Sequence, residues 1–475
     1  MRDRTCWGMA IAVVVAALAF AAPASATTFC LPNTSFAACP AGSTAPASLE
    51  AALTTNASDG TPDSIVIDTG LTIDTTGGAA STGTDPLEIA GAGRGPGVDA
   101  TRVSTTANLT NSVVLNVQSR PTTIHDLTIV DPATFPSGFG TGLRTGSATV
   151  QNVDVQSLNV GGSDGVILGG GSTFIDGAFY GDTGIEGAGT LDGAVTTDAP
   201  TGGVTVSRVT INDAALGVSL FNGNASLTLR RSLIVNPTSE GVLVNDTGIG
   251  NIQNTVIQTN GTAVALSAQQ LNDGHTAILT VKNVTAVRSG ATDAQPALNS
   301  SVNVGVTGSA QMVVDDSIIS GYANSHARTG SASGTANLTI RHSDLFYSGM
   351  FPSGFSTGTG SLFFAPSNIY ADPLFAGATD FHLLAGSLAI DQADPAATIV
   401  EDFDGSARPT DGDGDGVARN DMGAFEYQPP VVVTPPPTTT TPPSTTTTTT
   451  AQKKKCKKRK RAASAAKKRC MKKRR

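Results

Sequence analysis

A two-residue polar break recurs between short runs of β-branched and aliphatic residues, and it limits what this chain can fold into more than any other feature. It stands as His125-Asp126 within Ile124–Ile129, as Gln151-Asn152 within Val150–Val155 and as Ser207-Arg208 within Val206–Ile211. It returns as Arg230-Arg231, Gln253-Asn254, Lys282-Asn283, Asp315-Asp316 and Arg341-His342, each after an aliphatic residue. The runs that begin at 206, 229 and 252 are 23 residues apart, and 314 to 340 is 26. The longer steps from 252 to 281 and from 281 to 314 leave room for inserted loops. A period in the low twenties with several short strands in each repeat fits the stacked coils of a parallel β-helix. Leucine-rich repeats share the period, but their leucine–asparagine pattern is missing. A β-sandwich would need alternation over longer strands and would not hold one polar break in phase.

The phase has a physical meaning. Apolar residues of each coil point inward and stack on like residues above and below, while the break forms a tight turn. Asn152, Asn254 and Asn283 occupy its second position, and asparagine tolerates left-handed backbone. Helical periodicity is nearly absent between Ala26 and Pro366, where Thr, Val, Ile, Gly, Asn and Asp dominate. The exception is Ala47–Thr54, an amphipathic stretch ahead of Asp63–Asp68, which reads as a first strand. A helix there would cover the first coil, since an open solenoid end invites edge-to-edge association.

Both ends of the chain differ from the middle. Arg2 and Arg4, the apolar run Trp7–Ala22 and Ala24-Ser25-Ala26 have the pattern of a secretory signal peptide over 1–26. Four cysteines remain beyond it. Cys30 with Cys39 and Cys456 with Cys470 are the simplest disulfide pairs in an oxidising compartment, with no metal-ligand spacing to rival them. Residues 429–452 are almost entirely Pro and Thr and predict an extended, disordered linker. The tail 453–475 carries 15 of the 30 Lys and Arg residues and no acid. Residues 27–452 hold 13 basic and 37 acidic residues, a net of −24 against +15 in the tail. So acidic a body disfavours nucleic acid, and any attachment to anionic wall polymers or a membrane surface falls to 453–475.

Residues 368–427 carry a dense motif. It contains Asp372-Pro373-Leu374-Phe375, Asp380-Phe381-His382-Leu383, Ala389-Ile390-Asp391 and Asp402-Phe403-Asp404-Gly405. It ends in Arg408-Pro409, the run Asp411–Gly416 and Asp421-Met422-Gly423-Ala424-Phe425-Glu426-Tyr427. This stretch resembles the choice-of-anchor Q domain, a module that follows parallel β-helices in secreted bacterial surface proteins. The opening Ala47–Asp68 is similar to the helix-capped first coil of pectate-lyase-like β-helices. Together these resemblances imply an all-β protein: a right-handed parallel β-helix over 27–365 with an N-terminal capping helix, closed by a small cap domain over 366–428.

Within the cap, Asp411, Asp413 and Asp415 alternate with glycines in the manner of D-x-D-x-D-G calcium loops. Met422 stands where an EF-hand has its closing glutamate, so Asp421, the expected fourth ligand of a structural calcium, or Glu426 would have to close the shell instead. His125, His275, His326, His342 and His382 form no metal-spaced cluster. Arg208, Arg230, Arg231, Lys282, Arg341 and His342 share the turn phase of Asp315-Asp316 and would line one edge of the solenoid. Asn-Thr-Asp, Gly-His-Gly and Arg-Ile-Lys signatures of polygalacturonase type are absent, and no catalytic residue is assigned. The expected role is that of a monomeric secreted or envelope-associated protein with a structural, adhesive or polysaccharide-contacting function. The alternative is a polysaccharide lyase or glycoside hydrolase of the pectate-lyase-like class.

Overall fold

The computed structural model describes residues 26–430 except 56–57, 76, 96–98, 106–112, 132–139, 158–162, 182–190, 198–200, 221–223, 262, 291–294 and 349–352. The expected signal peptide up to residue 25, the basic tail, nearly all of the linker and the expected Cys456–Cys470 pair lie outside the described residues.

The coil is the unit of construction, and one example shows it. Ile249–Gln253 is followed by a turn at Asn254, then by Val256–Asn260, then by Val264–Gln270, before His275–Lys282 begins the next coil. Each strand pairs in parallel with its counterparts one coil away. The strands on either side of the polar break, continuous through it in Thr122–Asp131, Ala148–Ser157, Thr173–Gly181 and Thr201–Asn212, belong to a 20-stranded sheet, and the strand that follows them to an 11-stranded sheet. The result is a parallel β-solenoid with almost no helix, as the repeat predicts. No described helix is long and apolar enough to cross a membrane.

Register makes the core a set of columns. Ile89, Ile124, Val150, Phe174, Val206, Leu229, Ile252, Val281, Val314 and Ile340 stand one above another, all fully buried. Burial of each contributes roughly 1.5–3 kcal/mol, so stability accumulates coil by coil rather than at one centre. In the 11-stranded sheet a column runs Val218, Val242, Leu266 and Leu298, and its register continues to His326 and Gly354 near the C-terminal end.

The helix Leu49–Thr54 forms where expected, capped by the Ser48 hydroxyl and burying Leu49, Ala52 and Leu53. It does not precede the first strand, however. Thr27–Leu31 comes earlier and pairs with Asp63–Ile67. Its outer edge is covered by Thr44, whose N–H donates to Thr28 O and whose carbonyl accepts from Cys30 N. The Cys30–Cys39 disulfide closes this loop. Sequence periodicity missed the strand because it is a single short run outside the repeat.

The segment after Pro366 adds one bridge to the last coil, Ile369 against Asp344. It then folds back along the flank of the solenoid instead of lying over the end. Its apolar residues choose that course: Leu383, Ala389, Ile390 and Met422 pack on Ile318, while Phe381, Ala424 and Phe425 pack on Val256. Those partners belong to different coils, and the segment clasps them together.

Candidate functional site

The polar breaks become a ladder of strained turns. Asp126, Asn152, Asp176, Arg208, Arg231, Asn254, Asn283, Asp316 and His342 all have φ between 43° and 58°. Asparagine and aspartate adopt this backbone readily, whereas arginine and histidine lose about 1–2 kcal/mol there. Two of the arginines are held by strong partners. Arg208 donates twice to Asp176 one coil below, at 2.6 and 2.8 Å. Arg231 donates to Phe403 O at 3.0 Å and pairs with Glu401 at 3.2 Å.

From Arg231 onward the folded-back segment covers the ladder. Asn254 Nδ2 donates to Glu401 O at 2.6 Å, and Asn283 Nδ2 donates to Asp421 O at 2.9 Å. Asp316 accepts from Asp394 N through its carboxylate and from Gly423 N through its carbonyl. Gly423 has φ +87°, and a Cβ there would stand 2.7 Å from both Ile318 and Thr285. Only glycine allows so close an approach. Behind the seam, Arg408 lies buried between Asp421 O and Gly423 O, at 3.2 Å from the buried Glu426.

Among the described residues, nothing covers the ladder from Asp126 to Arg208. There a cleft of about 590 Å³ is lined by Glu88, Arg94, His125, Asp126, Asn152 and Asp176, among others. His125 is engaged at both ring nitrogens, with Asp126 at 2.8 Å and Glu88 at 3.3 Å. Asn152 donates to Asp126. Burial opposes ionisation of Asp126, yet the bonds from Asn152 and His125 outweigh it and hold its carboxyl below the usual range. Hydrogen bonds from Arg208 hold Asp176 low as well. Arg94 reaches across two coils to the buried Asp154, whose pKa is raised by burial in spite of that pairing.

The other acidic cluster is the aspartate loop. Asp411 and Asp413 meet Asp391, with carboxylate oxygens within 4.8 Å of one another. Asp391 is buried and braces the loop, accepting from Gly412 N and Asp413 N at 2.8 Å each. Asp411 accepts from Gly414 N and Gly416 N, which curls the loop around its own side chain. Asp415 turns aside to Arg419 at 3.0 Å. Asp421 takes a different place from the one expected. Its carboxylate is buried under the loop and accepts from Asp391 N and Tyr427 N. Burial and the neighbouring Glu426 push its pKa up to about 8. Three oxygen donors on a glycine-rich turn fit a hard cation such as calcium. The loop opens on a cleft of about 450 Å³ that His342 also lines.

The basic residues of the turn phase do not converge on one centre. Arg341 pairs twice with Asp315, at 2.8 and 2.7 Å, one coil below. Arg230 lines a separate hollow beside Glu401, and Arg208 belongs to the open cleft's border. Missing from the sequence-based set are Asp391, 20 residues before the loop, and Glu88 with Arg94, which the fold brings beside His125. Compared with protein-family models and with curated proteins, the chain matches none.

Proposed function

We propose that this chain is a secreted, envelope-associated β-helix of the pectate-lyase-like architecture that contacts polysaccharide without cleaving it, with 366–428 as its choice-of-anchor Q-type module. The observation that carries this is the pairing of the open cleft's acids and bases. His125 has both nitrogens on carboxylates, Arg94 holds an aspartate two coils away, and Arg208 holds one of the neighbouring coil. A lyase needs a basic side chain ready to take a proton, and a hydrolase needs two carboxyls facing one bond. Groups committed to one another across coils serve neither role well. They do present a row of amide, hydroxyl and carboxylate edges to a polyhydroxylated chain. The carboxylates Glu88, Asp126 and Asp176 disfavour polyuronates, so neutral or amino-bearing glycans are the expected ligands.

Calcium at Asp391, Asp411 and Asp413 fastens the module, and 453–475 binds anionic wall polymers or a membrane surface. The test is a glycan-binding panel with the full chain and Asn152→Ala combined with Gln151→Ala. Retained binding by the chain, loss in the variant and no cleaved product support the proposal. An unsaturated product absorbing in the ultraviolet, or new reducing ends, would establish the enzyme instead.

A further inference from the structure

Where the folded-back segment first covers the ladder, it does so with a small hairpin, residues 401–407, bridged from Glu401 to Ala407. Arg231 donates to Phe403 O and pairs with Glu401, and Asn254 donates to Glu401 O. The tip fits closely: a Cβ on Gly405 would stand 2.7 Å from the Arg231 guanidinium. Within the segment, Phe403 N donates to Ala424 O, and the buried Asp402 accepts from Ser406 N and Glu426 N. The Asp404 carboxylate, among the described residues, is held by His382 alone.

His382 is engaged at both ring nitrogens. Nδ1 lies 2.6 Å from Asp380 and Nε2 lies 2.8 Å from Asp404. The ring rests on Phe425 at 4.1 Å between centres, and Phe425 packs on Phe403 at 5.0 Å and on Val256 of the solenoid. A neutral imidazole has a single N–H and donates to one carboxylate, whereas the imidazolium donates to both. His382 N also donates to Asp380, at 3.2 Å. That local pairing persists without the charge, so the bond given up on deprotonation is the one across to Asp404.

We propose that the 401–407 hairpin is a proton-dependent flap, held shut over Arg231 and Asn254 by the His382 imidazolium and lifted when that proton leaves to water. Lifting adds two rungs, Arg231 and Asn254, to the uncovered row that ends at Arg208, whatever that row binds. Partial burial opposes the charge on His382, yet its bonds to Asp380 and Asp404 outweigh it, so the closed form keeps the proton above the ordinary value of 6.5. Closure is fully stabilised below 6.5 and loses that support as pH rises through the closed-form value. The other charged groups around the hairpin are the Arg231–Glu401 pair, the buried Asp402 and the buried Arg408–Glu426 pair. Asp421, pushed up to about 8, accepts from Asp391 N and Tyr427 N, outside the hairpin.

Hydrogen exchange on the full chain tests this, at about pH 6 and about pH 9, with the coil strand His275–Lys282 as internal reference. The amides of Phe403 and Ser406 report the hairpin. The expected result for the native chain is protection of 401–407 that falls about tenfold or more at the higher pH. In His382→Gln protection should be low at both pH values. Asp404→Asn, which keeps the histidine, should remove the pH dependence as well and serves if the first variant fails to fold. Equal protection of the native hairpin at both pH values overturns the proposal. A pH dependence that survives the substitutions also overturns it and passes the effect to Asp421. So does a loss of protection that spreads over all of 366–428, since the segment would then open as one. None of these outcomes depends on a glycan, so the reading of the open cleft stands or falls separately.

Discussion

Asp344 sits fully buried beside the last coils with one carboxylate oxygen accepting from Ala371 N and the other without a partner. Burial, helped by Asp372, pushes its pKa up to about 7. The folded chain therefore binds this proton more tightly than the unfolded chain does. The resulting stability is complete below the unfolded value near 3.8 and is lost as pH rises toward 7. Asp344→Asn should match the native chain near pH 4 and exceed it at pH 8 by about 1–3 kcal/mol. Denaturant titration at both pH values checks this, and a constant difference between the two proteins would count against it. Buried arginines act at the same scale: Arg120 pairs with Asp63 at 2.8 Å, and Arg288 stacks 4.3 Å from the ring centre of Tyr322. The sequence shows such residues only as charges, because their partners lie one or more coils away.

Among elements, the folded-back segment is the informative one. Its loop of alternating aspartates is visible in sequence since D-x-D-x-D is local. Asp391 is not, because its approach to Asp411 and Asp413 depends on how the intervening residues wrap around Arg408 and Glu426. If calcium fastens this loop, chelation should lower the melting temperature by several degrees, and Asp411→Asn with Asp413→Asn should abolish that difference. An identical melt with and without chelator removes calcium from the account. Gly423 marks where segment and solenoid touch. Gly423→Ala should cost about 1–3 kcal/mol through overpacking against Ile318 and strain at φ +87°, seen as early protease cleavage in 366–428 before the coils unfold. Simultaneous loss of both would mean that the segment has no separate opening.

At the scale of the whole molecule, charge is the dominant theme. If the tail 453–475 attaches the protein to anionic polymers, binding to purified walls should fall roughly tenfold or more between low and high salt. Deleting the tail should abolish it, and salt-independent binding would rule the anchor out. Sequence by itself determined the solenoid, its approximate period, the turn ladder and the Cys30–Cys39 pair. Each of these depends on neighbours within one coil or on a repeat that stacking must honour. Only the tertiary structure decided which part of the ladder the folded-back segment covers, and that Asp391 joins the aspartate loop while Asp421 is buried below it. Those outcomes arise from contacts such as Asn283 with Asp421 and Arg231 with Glu401, over 138 and 170 residues of chain. No local pattern encodes such pairs, because they form only after the coils have set the spacing of the ladder.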